Sequence, residues 1–485
     1  MVSTLQTLAR GRSISSFVKL PSEAEMILHK SNPCRSSNDA LADKPLADKP
    51  SVRSHEPRTA WLLPDMGTGG LSFQHIISEF AKQFPNTVVY TGQWPGYAVG
   101  FEDDFSVKEV GATRYVELNQ SKGGYAIGFS YASPRIIQEL LKFQPDIIFA
   151  NAFSVWTFLA IACKIIGRWK VVVTYEGGSP TYENPRNRVR HFTRQLIARW
   201  ADAFVANSRA GKDYLQHTLG IRSDRIFSRP FLVSSKKALL QESAESAASA
   251  QSITPSITPS EVVRVEAARA EAARVEAMQR EAEEFRAQLQ NQPLFLYVGQ
   301  IIPRKGVRIL LEACKALNRE GHGDFGLMIV GDGEQRSELE TYCLEEGLAD
   351  RVKWLGKAPY HRLGEFFKIA DIFVLPTFDD IWGMVLTEAM LFGMPVICSN
   401  KAGAVEMVEA SRNGFSYNPL SVEQLVHYMR QFLERPELTK QMGEQSALRI
   451  ARHSPERAVQ AFIEAANLHD HSTTIGQEVT CVSSS

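Results

Sequence analysis

The stretch DIFVLPTFDDIWGMVLTEAMLFGMPVICSN, residues 371–400, decides the fold of the second half of the chain. Its first β-rich run ends in a loop, and an apolar segment of helical length begins at Gly383–Met384. Gly393 ends that helix, because glycine favours the left-handed turn after a last helical residue, and Pro395 begins a second β-rich run. Strand, buried helix and strand in this order predict one repeating unit of a parallel sheet.

The same alternation extends in both directions from this stretch. The β-rich runs, which helical patterns separate, are AWLLPD, TVVYTG, DIIFAN, KVVVTY and AFVANS in the first half and LFLYVG, GLMIVG, RVKWLG, DIFVLP and PVICSN in the second. We therefore predict an α/β fold of two Rossmann-like domains whose parallel sheets face a cleft, plus a helical insertion. Ligands of such sheets bind beyond the carboxyl ends of the strands.

Composition divides the chain into five segments. We predict a disordered N-terminal tail at 1–57, a first domain at 58–235, a Ser/Pro-rich and helical insertion at 236–292, a second domain at 293–470 and a disordered tail at 471–485. In the insertion, apolar residues at 275, 278, 282, 285 and 289 follow helical spacing. This helix is interpreted as a solvated spacer, with a surface for a partner or a second copy as the alternative.

Charge and cysteine usage exclude several classes of protein. Lys and Arg together number 54, as do Asp and Glu, so no net field recruits nucleic acid or a membrane. The six cysteines show no paired spacing, which favours reduced side chains over a disulfide or zinc framework. No apolar segment is long enough to span a bilayer, and we expect a cytoplasmic protein. The first twenty residues, rich in Arg and Ser, are typical of a disordered tail or a transit peptide.

Two carboxylates mark the stretch at 371–400 as a candidate site. Glu388 falls inside the apolar helix, where a charge is costly unless it is paired or faces a polar cavity. Asp380 lies in the preceding loop, and the free amides of Gly383, Met384 and Val385 form an anion site at the helix N-terminus. The arrangement offers carboxylates for sugar hydroxyls and amides for phosphate. In the alternative, Asp380 caps a loop and Glu388 is a buried, satisfied acid.

Three further positions carry candidate chemistry. Arg304 and Lys305 precede a helix, where positive charge opposes the macrodipole unless an anion sits in front of it. Gly69 and Gly70 belong to a Gly-rich turn between a strand and a helix. Glu176 follows a strand directly, where a carboxylate suits catalysis or the positioning of an acceptor. Solvated surface cations and an ordinary polar loop are the corresponding structural alternatives.

One predicted helix is unusually basic. Arg186, Arg188, Arg190, Arg194 and Arg199 occur in it without an acid between them. A solvated helix face explains such a cluster, and so does binding of an anionic acceptor or peripheral contact with an acidic membrane surface.

Taken together, these stretches resemble the GT-B fold glycosyltransferases of family four, the retaining group 1 enzymes with an E-x7-E motif. Asp380 and Glu388 have the spacing of that motif. The segments FLYVGQIIPRKGV, LMIVGDGEQRSELE and KAGAVEMVEASRNGFSY are similar to other blocks of the family's nucleotide-sugar domain. DMGTGG and ADAFVANSRAGKDYL are similar to segments of its acceptor domain.

The resemblance implies that a sugar moves from a nucleotide diphosphate sugar to a hydroxyl of a carbohydrate or lipid-linked acceptor. Configuration is retained, no metal or other cofactor takes part, and the product belongs to polysaccharide or glycolipid biosynthesis. Carried over by position, Glu388 binds the ribose hydroxyls, Asp380 the sugar and Lys305 the diphosphate. The remaining donor contacts implied are backbone amides, those of Gly69, Gly70, Gly383, Met384 and Val385.

Three positions depart from the family pattern. Asp380 replaces a glutamate, Gln300 stands where an arginine usually completes the basic pair with Lys305, and Glu176 follows the strand where the family often has a histidine. Arg304 is a candidate substitute for the missing arginine. These departures leave two alternatives: a GT-B relative with other chemistry, such as a sugar-nucleotide epimerase or a phosphorylase, or a non-catalytic scaffold with a degenerate site.

Overall fold

A computed structural model of the chain describes residues 56–66, 71–97, 101, 104–111, 114–119, 127–177, 188–240 and 259–467. Nearly all of both predicted tails, together with Gly69 and Gly70, lies outside these residues. The side chains of strands β4 and β5 and of residues 71–72, 188–189, 259–265 and 268 are likewise outside the description.

Seven parallel strands form the first sheet, in the order β3-β2-β1-β6-β7-β8-β9, and β4 pairs with β5 as a separate antiparallel hairpin. The strands are β1 (Thr59–Leu63), β2 (Thr87–Thr91), β3 (Ser106–Glu109), β4 (Arg114–Asn119), β5 (Ile127–Tyr131), β6 (Ile147–Asn151), β7 (Lys170–Tyr175), β8 (Ala203–Ala206) and β9 (Ile226–Ser228). The central strands are almost continuously apolar because helices cover both faces of the sheet.

The helices of this half follow the strands in alternation. They are α1 (Leu71–Gln83), α2 (Ile136–Phe143), α3 (Val155–Ala162), α4 (Lys164–Gly167), α5 (Arg188–Trp200), α6 (Arg209–Asp213) and α7 (Lys236–Leu239). Helices α2, α3 and α5 pack on one face of the sheet, where Trp156 and Ile197 are buried against Phe204. Helix α1 packs on the other face, where Phe80 meets Trp61 and Phe149.

Six parallel strands form the second sheet, in the order β12-β11-β10-β13-β14-β15. The strands are β10 (Leu294–Val298), β11 (Gly326–Val330), β12 (Val352–Gly356), β13 (Ile372–Leu375), β14 (Val396–Ser399) and β15 (Gly414–Tyr417). The helices are α8 (Pro259–Gln288), α9 (Val307–Arg319), α10 (Arg336–Glu345), α11 (Leu363–Ile369), α12 (Met384–Leu391), α13 (Val422–Glu434), α14 (Glu437–Ile450) and α15 (Pro455–Ala466). Two parallel α/β sheets confirm the predicted fold class.

Helix α8 is not the solvated spacer that we interpreted from its sequence. Its predicted apolar stripe is buried against β12 and α11 of the second sheet. Val275 and Ala282 are fully enclosed, and Glu281 pairs with Lys353 of β12 at 2.9 Å. Because the stripe is covered from within the chain, it is not available to a partner either.

The last helix returns to the first sheet. Helix α15 packs beside α1, and the ring of Phe462 lies 5.0 Å from that of Trp61 and 5.6 Å from that of Phe149. The backbone carbonyl of Ala466 accepts a hydrogen bond from Lys170 at 3.3 Å. The sequence order therefore assigns α15 to the second half, whereas its packing completes the core of the first.

Two properties expected from composition can be compared with the described residues. Of the six cysteines, Cys163, Cys314, Cys343 and Cys398 lie there and are free thiols. Among the helices in those ranges, none has both the length and the apolar character needed to cross a bilayer.

Candidate active site

Two loops meet at the carboxyl edge of the second sheet, where β10 and β13 are neighbours. The turn Pro303–Lys305 follows β10, and residues 376–383 follow β13. The amide of Phe378 donates to the carbonyl of Arg304 at 2.8 Å, and the guanidinium of Arg304 donates to the carbonyl of Asp379 at 2.7 Å. Arg304 therefore holds the second loop in place.

Lys305 and Asp380 form an ion pair across these loops. Both side chains are largely enclosed, with 17% and 12% of their surfaces exposed. An ion pair in such a place is screened less than one on the open surface. The structure thus pairs Lys305, which is predicted to bind the diphosphate, with Asp380, which is predicted to bind the sugar.

Two glycines allow the close approach of the loops. Gly306 has φ +71°, and a Cβ there would lie 2.1 Å from the carbonyl oxygen of Pro376. Gly383 has φ +89°, and a Cβ there would lie 2.9 Å from the side chain of Leu375. Any other residue would be strained in these backbone conformations and would push the neighbouring segment away.

Helix α12 begins directly after Gly383, as predicted, and no side chain caps it. The first amides of an α-helix have no acceptor within it, although here the amide of Leu386 donates to the carbonyl of Gly383 at 3.0 Å, and the macrodipole places partial positive charge at this end. Met384 and Val385 lie in that turn. The helix start, together with Lys305, gives an electropositive position suited to a diphosphate.

Glu388 lies one turn further along α12 and is 2% exposed. Its Oε1 accepts hydrogen bonds from the hydroxyls of Ser234 at 2.9 Å and Tyr360 at 3.0 Å, and these two hydroxyls are 2.6 Å apart. Burial raises the pKa of Glu388, and the two hydrogen bonds oppose that rise. Since both donors bind Oε1, the other oxygen can accept donors from a ligand.

Ser234 belongs to the segment that connects the two sheets. The side chain of Asn207, after β8, accepts from the amides of Phe231 and Leu232, each at 2.8 Å. From the second sheet, the indole of Trp382 donates to the carbonyl of Leu232 at 3.2 Å. The connecting segment is therefore fixed to both halves.

Sequence reasoning missed Ser234, Tyr360 and the anchoring role of Trp382. Ser234 lies 154 positions from its partner Glu388, and no periodicity or motif relates the two. Tyr360 follows β12 in the turn Tyr360–Arg362, where the position after a parallel strand was the available signal.

Glu176 lies at the corresponding edge of the first sheet, directly after β7. Burial raises the pKa of its carboxyl to about 7, although a hydrogen bond with Asn151, at the end of neighbouring β6, opposes the rise. The structure thus places Glu176 on the opposite sheet from Lys305, Asp380 and Glu388. Gly69 and Gly70 remain predictions outside the described residues.

The basic helix and Gln300 have distinct environments. Arg194 of α5 is 5% exposed and lies over the rings of Phe153 and Tyr214, at 5.2 and 5.3 Å, so it is not part of a solvated face. Arg199 is exposed, whereas Arg186 and the side chain of Arg188 lie outside the described residues. Gln300 is exposed after β10.

Comparison with protein families covers both halves of the chain. Residues 279–449 match the model of the family Glycosyl transferases group 1, and residues 72–228 match that of Glycosyltransferase Family 4. The alpha-D-kanosaminyltransferase of Streptomyces kanamyceticus is 30% identical over 33% of this chain and 42% of its own length. The sulfoquinovosyl transferase SQD2 of Arabidopsis thaliana is 24% identical over 64% of this chain and 54% of its own. The chain thus spans about half the length of these curated relatives or less.

Solved structures share the architecture across nearly their full length. HepE from Anabaena, in complex with UDP-glucose, has a TM-score of 0.59 and 19% identity over 85% of this chain and 98% of that protein. A glycosyltransferase from Rickettsia africae has a TM-score of 0.61 and 15% identity over 85% and 98%. These likenesses show the two-domain GT-B fold.

Proposed function

The chain belongs to the group 1 glycosyltransferases, and we propose that it is a retaining enzyme that moves a sugar from a nucleotide diphosphate sugar to a hydroxyl acceptor. One observation carries the proposal: the Lys305–Asp380 ion pair, the uncapped start of α12 and the buried Glu388 lie in one row at the carboxyl edge of the second sheet. Such a row has the order of groups that a nucleotide sugar requires.

The spacing of the row agrees with the chemistry of the donor. A helix rises about 1.5 Å per residue, so Glu388 lies about 6 Å along α12 from Met384. The helix start and Glu388 are thus two separate groups along one helix, as the phosphates and the ribose hydroxyls are separate groups along a nucleotide. Lys305 and Asp380 are adjacent, as are the β-phosphate and the sugar that it carries, so the pair can bind both.

The same groups favour departure of the nucleotide. The bond between the anomeric carbon and the β-phosphate oxygen breaks, and the pair of electrons leaves with the diphosphate. Lys305 and the amides of Met384 and Val385 then stabilise the added negative charge. The acceptor oxygen bonds the anomeric carbon on the face that the phosphate leaves, and its proton is transferred to a base.

We assign the acceptor side to the first sheet. Glu176 lies at its carboxyl edge with a pKa raised to about 7, so the carboxyl exchanges its proton near neutral pH. Such a group suits the positioning of an acceptor hydroxyl. The acceptor itself is proposed to be a carbohydrate or lipid-linked intermediate of polysaccharide or glycolipid synthesis.

The first experiment is a donor screen. The purified chain is incubated with UDP-, GDP- and ADP-sugars, and release of the nucleoside diphosphate is measured together with the anomeric configuration of the product by NMR. UDP-glucose comes first, because a solved structure of this fold contains it. We expect turnover of one donor class with retained configuration. An inverted product would refute the retaining mechanism.

Two variants connect turnover to the site. Glu388→Ala and Lys305→Ala should abolish or strongly reduce the release of nucleoside diphosphate, whereas Lys315→Ala, which removes a similarly enclosed ion pair with Glu346, should leave it unchanged. Unchanged turnover in the first two variants would show that the assigned site is wrong.

The alternatives give different results in the same assay. Sugar phosphate formed only with added phosphate would identify a phosphorylase, and conversion of one sugar nucleotide to another would identify an epimerase. A non-catalytic scaffold with a degenerate site should bind no nucleotide in calorimetry.

A further inference from the structure

A group of large apolar side chains is exposed on the outer helices of the first sheet. Ile165 and Ile166 of α4 are 84% and 74% exposed, and Phe192 and Trp200 of α5 are 65% and 52% exposed. Scattered single apolar residues are normal on a protein surface, but a contiguous group indicates an interaction site. These four residues are called the α4–α5 face below.

Phe192 and Trp200 line one open depression along α5, and contacts between the helices place α4 beside Trp200. Lys164 donates to the carbonyl of Trp200 at 3.2 Å and pairs with Asp202 at 2.6 Å, which sets α4 beside the end of α5. Helices α3 and α5 pack on the same face of the sheet, so their outer sides form one surface. Val155 and Phe158 of α3, 45% and 39% exposed, extend it.

The exposed charge around this face is mainly positive, because its nearby acid, Asp202, is paired with Lys164. Between residues 152 and 200 the acids are Glu176 and Glu183, and Glu176 lies at the edge of the sheet rather than on these helices. The basic residues of the same segment are Lys164, Arg168, Lys170, Arg186, Arg188, Arg190, Arg194 and Arg199. Arg168 and Arg199 are exposed beside the apolar group. Exposed aromatic and branched side chains among cations complement the surface of an anionic lipid bilayer.

We propose that the α4–α5 face docks on the surface of an anionic bilayer, with Ile165, Ile166, Phe192 and Trp200 inserted at the level of the headgroups. Helix α5 begins near the edge of the sheet that carries Glu176 and runs back to the opposite edge, where Trp200 meets Lys164. Docking along α5 therefore attaches the domain that presents Glu176. The proposal is independent of the assigned glycosyl transfer, because it rests on residues outside that site.

Vesicle sedimentation tests the proposal with the full chain. Binding is compared between vesicles of zwitterionic phosphatidylcholine and vesicles that also contain anionic phosphatidylglycerol. The wild type should bind the anionic vesicles, and the double variant Ile165→Ser/Ile166→Ser should lose at least about tenfold in partitioning. The double variant Arg168→Asn/Arg199→Gln should bind anionic vesicles more weakly than the wild type. Raised salt should weaken binding of the wild type in the same way, because both changes remove electrostatic attraction. Asparagine suits position 168 because Arg168 has φ +56°.

A matched control keeps the result specific. Leu344→Ser and Leu420→Ser remove exposed leucines of the second half, 69% and 78% exposed, and should bind as the wild type does. Equal partitioning of the wild type and the isoleucine double variant would overturn the proposal, as would a wild type that binds no vesicles. Light scattering that shows a dimer lost in the isoleucine variant would instead assign the face to a second copy. Donor turnover, measured without vesicles, should be the same in all these variants.

Discussion

Glu388 and Glu176 are two carboxylates at the carboxyl edges of the two sheets, the first buried and the second half-buried, and they differ in how each is held. Glu388 accepts from two hydroxyls, one of them on the segment between the sheets, and lies one helical turn from the uncapped start of α12. Glu176 has a hydrogen bond with Asn151 opposing the effect of burial, which still raises its pKa to about 7.

This difference fits the proposed division of donor and acceptor between the two halves. The second sheet presents a site in which charges and donors are already arranged before a ligand arrives, as tight binding of a fixed group requires. The first sheet presents a carboxyl that gains or loses a proton near neutral pH, as an exchange of protons with an acceptor requires.

The largest effect is expected from Lys305→Ala. Removing Lys305, the cation that we propose stabilises the departing diphosphate, should lower kcat by about 10²–10³, as loss of one donor to a developing anion does. Steady-state kinetics with the donor found in the screen measures it. The control is Lys315→Ala, and an equal fall in both variants would attribute the loss to a general effect on the fold.

Glu176→Gln should change the pH dependence of stability. Burial raises the pKa of Glu176 in the folded state to about 7. Its contribution to the stability of the folded state is therefore fully present below the unfolded pKa of about 4.5 and is lost as the pH rises to about 7. The free energy of unfolding of the glutamine variant should therefore rise relative to that of the wild type across this interval, by up to about 3 kcal/mol. Urea unfolding at several pH values measures this, with exposed Glu434→Gln as the control. If the two free energies of unfolding differ by the same amount at every pH, the pKa of Glu176 is not raised.

Nucleotide affinity should separate the two carboxylates directly. Glu388→Gln keeps an oxygen for Ser234 and Tyr360 but loses the charge offered to ribose, so the Kd of the nucleoside diphosphate should rise by about 10- to 100-fold. Glu176→Gln should leave this Kd unchanged. Calorimetry with both variants decides the matter, and an equal loss in both would abolish the distinction between a donor half and an acceptor half.

The smallest effect is expected from Ser234→Ala. Loss of one hydrogen bond to the Glu388 carboxylate should weaken nucleotide binding by about fivefold, and Tyr360→Phe should behave similarly. Combining each change with Glu388→Gln should show non-additive effects, because the groups act through one carboxylate. If Ser234→Ala instead tightens binding, Ser234 competes with ribose for Glu388 rather than positioning it.

Much of the fold could be predicted because its central strands are covered on both faces. Such strands read as continuous apolar runs, and KVVVTY and LFLYVG became β7 and β10 at the predicted positions. The strands without a prediction were peripheral: β3, β9 and β15 lie at the edges of the sheets, and β4 and β5 form a separate hairpin. The packing of α15 on the first sheet could not be predicted either, because nothing in its sequence indicates which sheet it covers.

The candidate site was predictable where its residues are local in sequence. The start of α12 at Gly383 and the burial of Glu388 follow from one stretch, and the structure also brings Lys305 to Asp380. The partners of Glu388 could not be predicted, since Ser234 reaches it only through the path of the connecting segment. Arg304 was a candidate substitute for the missing arginine of the basic pair. In the structure its guanidinium instead donates to the carbonyl of Asp379.

The return of α15 to the first sheet has a consequence for biosynthesis. Phe462 covers Trp61 and Phe149, which the ribosome releases some three to four hundred residues earlier. The opening domain must therefore wait with an aromatic surface uncovered until the closing helix emerges. A chain interrupted before α15 keeps that surface exposed, and exposed apolar surface of this kind makes an incompletely folded protein prone to aggregation.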